Sequence, residues 1–132
     1  MQALDPAQLA APFGRYSHAV AWPANRRLLR TSGQLALDSD GQVPTDAGAQ
    51  AELIFRNFDA ILSEAGMTRR DVLHLSAWVV DRADMPAYMA ARDAWLETVE
   101  TLPASTLLIV SGFSRPEFRV EIEMLAADPD EI

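Results

Sequence analysis

The sequence contains no cysteine, so it has no disulfide framework, no thiolate nucleophile and no cysteine-held zinc. Histidine is nearly as scarce: His18 and His74 are the only two, and they fall in separate predicted strands. Nothing in that spacing points to a metal site, and neither a metal nor an organic cofactor is expected. The longest apolar runs, such as Leu107 to Val110, are far short of the roughly 20 residues that cross a bilayer. No basic stretch leads into an apolar one at the N-terminus, so no secretory signal is read, and a cytoplasmic protein without membrane partners is expected. Phosphate-cradling glycine loops are also lacking, since Thr31-Ser32-Gly33-Gln34 has neither the glycine spacing nor the lysine. No local signature of a Ser-His-Asp triad is present.

Positive charge is in short supply. Eleven Lys and Arg face 19 Asp and Glu, giving a net charge of -8 and a pI of about 4.6. Such a chain repels phosphate backbones, so nucleic acid is not expected as a partner. Arg26, Arg27 and Arg30 form the one basic cluster and read as a solvated turn and strand edge.

What remains is a chain of 132 residues, 49% hydrophobic, which fits one domain over 1–132 with a core over about 11–127. Strand signals cover 17–22, 28–32, 72–80, 105–110 and 118–126. Pro23-Ala24-Asn25 and Asp40-Gly41 mark turns. Two segments have helical period. Ala51, Ile54, Phe55, Phe58, Ile61, Leu62 and Ala65 share one face, with Asp46 as N-cap and Gly66 just past the end. Met85, Tyr88, Met89, Trp95, Leu96 and Val99 form the second stripe, with Asp84 as cap and Pro86 in the first turn. Both stripes read as core packing. The polar run Asp128-Pro129-Asp130-Glu131 is expected to fray. The order β-β-α-β-α-β-β predicts an α+β domain, one mixed sheet with both helices on the same face.

Two helices cover only one face. Leu107-Leu108-Ile109-Val110 is apolar on both sides, so Leu107 and Ile109 are expected on the uncovered face. An apolar strip of that kind calls for an oligomer, with a covering loop as the alternative. Glu121 and Glu123 alternate with Val120, Ile122 and Met124, which places both carboxylates on the face away from the helices. A carboxylate partly buried there is a candidate acid or base; a wet edge strand is the alternative.

Several blocks together resemble the Rid (reactive intermediate deaminase, YjgF-like) family. They are Phe13-Gly14-Arg15-Tyr16-Ser17-His18-Ala19-Val20, Thr31-Ser32-Gly33-Gln34, Gln50 to Gly66, Asp71-Val72, Leu102-Pro103-Ala104 and Val120-Glu121-Ile122-Glu123. The resemblance runs from about 11 to 127. It implies a chorismate-mutase-like fold and a homotrimer with clefts between subunits. It also implies cofactor-free hydrolysis of enamines and imines such as 2-aminoacrylate, with release of ammonia. By that resemblance Glu121 positions water, and Tyr16 and Gly33 line the cleft. The chain departs from the family pattern at three further cleft positions. Ser105 stands where the family has a carboxylate-binding Arg, Leu107 where it has a Cys, and Met89 where it has an Asn. Arg92, Arg115 and Arg119 are candidates to replace the missing cation. The expected activity is a small-molecule imine or enamine deaminase whose substrate is not 2-aminoacrylate. A non-catalytic trimeric ligand-binding protein is the alternative. A ribonuclease is disfavoured by the negative charge and the lack of a histidine pair.

Overall fold

The structure is a computed structural model that describes residues 1–129. Its strands are β1 (Gln2–Leu4), β2 (Ala19–Ala21), β3 (Leu28–Arg30), β4 (Gln34–Leu35), β5 (Val72–Val79), β6 (Ala104–Ile109) and β7 (Val120–Ala127). The helices are α1 (Ala47–Glu64), between β4 and β5, and α2 (Met85–Trp95), between β5 and β6. The main sheet runs β3-β7-β5-β6, with β4 also paired to β7. β5 and β6 are parallel and the other pairings in that sheet are antiparallel, so it is the mixed sheet expected. β6 lies at the end of that order, and its connection from β5 through α2 is what lets the two strands run parallel.

Both helices pack on one face. Val120, Ile122, Met124 and Ala126 of β7 and Leu75, Ala77 and Val79 of β5 are buried against α1 and α2. Phe55 and Phe58 of α1 meet Trp95 of α2 with ring centroids 4.8 and 6.2 Å apart, contacts worth about 0.5–1.5 kcal/mol each beyond burial. Asp46 caps α1 by accepting from the Ala49 amide at 2.8 Å. Gly66 follows the helix at φ 74°, a left-handed conformation that favours glycine.

Several expectations need correction. β2 pairs with β1, an element the sequence reading lacks, and not with β3. Asp84 makes no cap bond, because its carboxylate accepts from Arg119 at 2.7 Å. A short 3₁₀ turn, Arg82–Asp84, leads into α2 instead, opened by the Asp81 side chain accepting from the Ala83 amide. Asp128 does not fray: its amide bonds to the Arg27 carbonyl and its carboxylate pairs with the Arg27 guanidinium at 2.9 Å. Asp130 and Glu131 lie outside the described residues.

The largest correction concerns β6. Leu107 points to the helix side and packs against the core, and the Ser105 hydroxyl meets Arg92 of α2. The face left open by the helices therefore carries Leu108, which is 53% exposed, beside Trp78 of β5. Ile109, of the same parity as Leu107, is exposed where the strand ends. Hydropathy could not fix this parity, because the strand is apolar at every residue from 107 to 110.

Candidate functional site

The open face of the sheet holds the first group of candidate residues. Glu121 and Glu123 project there from β7, as their alternation with buried Val120, Ile122 and Met124 requires. β4 pairs with β7 so that Leu35 lies opposite Glu121, and this brings Gly33 over the Glu121 side chain. A Cβ on Gly33 would lie 2.0 Å from Glu121 Oε2, so only glycine leaves the carboxylate its present place. Burial, and then the nearby Glu123, push the Glu121 pKa above the ordinary glutamate value. Glu123 is drawn instead toward Arg30, at 3.6 Å. In register, Trp78 of β5 stands beside Glu121 on one side and Leu108 of β6 on the other. His74 shares this face, with its Nε2 3.4 Å from Thr106 Oγ1, and burial lowers its pKa.

The second group lies at the edge strand, on the helix side. The segment leading to β2 runs along the outer edge of β6. The Ser17 amide donates to Pro103 O at 2.8 Å, and its hydroxyl donates to Leu102 O at 2.7 Å. That anchor sets Tyr16 against Arg92, whose guanidinium carbon is 5.2 Å from the Tyr16 ring centre and 5.8 Å from that of Tyr88. Arg92 Nε donates to Asp93 at 3.0 Å, and Nη1 approaches Ser105 Oγ at 3.4 Å. The Arg92 residue is only 3% exposed. Leu107 and Met89 are partly buried at the margin of the same core.

Of the three arginines that could stand in at position 105, one is placed there. Arg119 is paired with Asp84, and Arg115 with Glu117 at 3.2 Å. The sequence reading missed how deeply Arg92 sits. The signal was present, since Arg92 follows Tyr88 by four residues and precedes Trp95 by three, inside the apolar stripe.

The two groups do not meet within one chain. Glu121 and Gly33 are on the open face, while Ser105, Leu107 and Arg92 are on the helix face. A cleft of about 280 Å³ on the open face is lined by Arg30, His74, Ser76 and Glu123 among others. A larger one, of about 560 Å³, lies near Trp22, Arg26 and Arg70. Neither includes Glu121, Tyr16 or Ser105. Among the described residues no three His, Asp or Glu side chains gather as a metal site would require, and no helix is long and apolar enough to cross a membrane.

Comparison with known proteins gives a consistent set of relatives. The family model described as Endoribonuclease L-PSP matches residues 7–128. A RutC family protein of Synechocystis is 31% identical over 132 residues, covering 98% of each chain. The 2-iminobutanoate/2-iminopropanoate deaminase of Escherichia coli K12 is 31% identical over 101 residues, 75% of this chain and 78% of the enzyme. Among solved structures, the conserved Rid-family protein YyfB of Yersinia pestis has a TM-score of 0.86 at 30% identity, covering 96% of this chain and 97% of that one. The YjgF gene product of Escherichia coli has a TM-score of 0.72 at 26% identity, covering 98% and 100%.

Proposed function

The chain belongs to the Rid (YjgF-like) family, the one its model describes as Endoribonuclease L-PSP, and on that premise we propose that it hydrolyses small imines or enamines to carbonyl compounds and ammonia. The observation that carries this reading is the Glu121 carboxylate, partly buried under Gly33 with its pKa raised. A base with a raised pKa accepts a proton from water more readily. Water held by Glu121 adds to the imine carbon, and one of its protons passes through the carboxylate to the nitrogen, giving a carbinolamine. The carboxylate then takes the proton of the new hydroxyl and delivers it to the amine as the carbon–nitrogen bond breaks, leaving one carbonyl and one ammonia per water consumed. An enamine enters the same path after shifting a proton to its carbon.

The site is completed between copies of the chain, in a cytoplasmic homotrimer. Each interface would set Glu121 and Gly33 of one copy against Tyr16, Ser105, Leu107 and Met89 of another. The support is the opposite-face placement of the two groups, together with the exposed Leu108 and partly exposed Trp78 on the open face. The substrate differs from 2-aminoacrylate, because position 105 itself carries no cation, the neighbouring Arg92 is buried under Tyr16, and Leu107 and Met89 offer apolar surface. Ser105 also favours a second reading, a ligand-binding trimer without turnover. Endoribonuclease action is a poorer fit, because the net charge of -8 opposes a polyanionic substrate.

The test generates a panel of imines in situ and follows ammonia release with and without the protein. Faster release than the uncatalysed rate for at least one imine, lost in Glu121→Gln, is the expected result. Uncatalysed rates for every imine, with ligand binding retained, would install the second reading.

A further inference from the structure

The chain that carries Gly33 does not run evenly along β7. Arg30 opposes Leu125, yet Gln34 opposes Ile122, so residues 31–33 span only Glu123 and Met124. The extra residue is a β-bulge, a device that re-aims side chains and recurs beside active sites. Thr31 still faces Met124, since its amide donates to the Met124 carbonyl at 3.1 Å. Ser32 and Gly33 therefore share Glu123 as their opposite residue. Had the register of β3 continued, Gly33 would oppose Ile122, which is buried under the helices. A slip of one residue moves a side-chain position to the other face of a sheet. The bulge thus turns Gly33 onto the open face, over Glu121, and sends Ala36 rather than Leu35 into the core.

A side chain holds this bulge. In a regular antiparallel ladder the Met124 amide would donate to the Thr31 carbonyl. It donates instead to the Thr31 hydroxyl, at 3.0 Å. Thr31 is buried, so bulk water does not compete for that amide. The hydroxyl takes the carbonyl's place in the ladder, and the main chain is released from β7 for one residue. Glycine's conformational freedom is not the cause, because none of residues 31–33 has positive φ. Gly33 supplies the space above Glu121, and Thr31 brings it there.

We propose that Thr31 is a positioning residue of the site: its hydroxyl, standing in for a main-chain acceptor, holds the bulge that keeps Gly33 over the Glu121 carboxylate. This rests on the proposed function only for the carboxylate's part in hydrolysis. The bulge and its effect on Glu121 are measurable without a substrate. Burial is the leading cause of the raised Glu121 pKa, and the close approach of Gly33 covers the carboxylate. Releasing the bulge uncovers it, so its pKa falls toward the ordinary glutamate value.

The test compares Thr31→Val, which nearly keeps the side chain's shape but removes the acceptor, with Thr31→Ser, which keeps the acceptor. Nuclear magnetic resonance on the intact protein reads three things: contacts between the Gly33 α-protons and the Glu121 side chain, titration of the Glu121 carboxyl carbon, and exchange of the Met124 amide. In Thr31→Val the Gly33–Glu121 contacts should disappear and Glu121 should titrate at lower pH. The Met124 amide should exchange about tenfold faster or more. Thr31→Ser should hold all three near wild type. With an imine that the wild type hydrolyses, Thr31→Val should lower kcat by about a hundredfold and leave KM within about threefold. The acid limb of its pH profile should move to lower pH, because Glu121 acts as the base. A merely structural threonine would lower the melting temperature and leave that limb in place. Contacts and titration retained in folded Thr31→Val overturn the proposal, as does a serine variant that behaves like the valine one. Should Thr31→Val not fold, the other two proteins decide. A folded Thr31→Ser with Gly33 still over Glu121 supports the proposal, and fast exchange of the wild-type Met124 amide overturns it. The expected magnetic resonance outcomes in a protein that hydrolyses no imine keep this inference and remove the deaminase reading. Hydrolysis with an unchanged pH profile in Thr31→Val does the reverse.

Discussion

Gly33→Ala isolates the geometry of the Glu121 carboxylate from its chemistry. Gly33 does not have positive φ, so alanine fits the backbone. The added methyl would sit 2.0 Å from Oε2, 2.8 Å from Cδ and 3.2 Å from Cγ of Glu121. Ordinary contact begins at 3.4 Å, so the oxygen must retreat by about 1.4 Å. Glutamate is flexible and the clash is at its far end, so the fold absorbs the change. Lower unfolded-state entropy should then leave stability unchanged or raised by about 0.4–1 kcal/mol. Catalysis is less tolerant, because an ångström of misplacement costs about a hundredfold, or about 2.7 kcal/mol of barrier. The assay is ammonia release from an imine that the wild type hydrolyses, with a thermal melt on the same sample. A rate within threefold of wild type would refute the placement of Gly33 over a working carboxylate. Loss of rate with loss of fold would refute the cheap retreat. The double variant with Glu121→Gln should be no slower than Glu121→Gln alone, since Gly33 acts only through Glu121.

Three further substitutions have expected outcomes. Glu121→Gln should lower hydrolysis by at least about a hundredfold. It should also raise the melting temperature at neutral pH: a carboxyl with a raised folded pKa stabilises the fold at acid pH, and that contribution is lost as pH rises through the folded value. The gain should fade as pH falls through the ordinary carboxylate range, and melts across pH decide it. Leu108→Asp should yield monomers near 14.5 kDa by light scattering, because the charge lies on the open face beside Trp78; an intact trimer would count against that face as the interface. Ser105→Arg should destabilise by roughly 1–3 kcal/mol, placing a second guanidinium where Arg92 Nη1 already lies 3.4 Å from Ser105 Oγ. A stable variant with faster hydrolysis would show that the pocket beside Ser105 has room for both.

The fold was legible where one periodicity dominated. Phe55, Phe58 and Leu62 mark α1 unambiguously, and Val120, Ile122 and Met124 mark β7 with its carboxylates on the other face. It was not legible where local signals were silent or equal. β1 and β4 are three and two residues long and exist through pairing, which no window of sequence reveals. Residues 107–110 offered no contrast between faces, and the parity was set by Ser105 reaching Arg92 and Leu107 reaching the core. Asp84 fits a cap by residue type, yet Arg119 lies 35 positions away in sequence and takes the carboxylate. For the site, the blocks around Tyr16, Gly33 and Glu121 identified the members but not their sides of the sheet. Arg92 was named only as one candidate for the missing cation, although its spacing placed it among buried residues.

The opposite-face arrangement has a consequence for activity. A sheet about one backbone thick separates Glu121 from Ser105 and Arg92, and neither group can reach through a core that is closed by Leu75, Ala77 and Ile122. A monomer thus holds Glu121 and Gly33 on one face and Tyr16, Ser105 and Leu107 on the other. Any substrate that touches both must sit where the edge strand β6 of one copy meets the open face of another. Hydrolysis by the proposed route therefore requires association, and the specific rate should fall when the protein is diluted below its dissociation constant. Mixing an inactive Glu121→Gln chain with a chain inactivated by substitution at Tyr16 should restore activity in those mixed interfaces that pair an intact Glu121 with an intact Tyr16. A site built within one chain could not be rescued this way, so complementation separates a shared cleft from a private one.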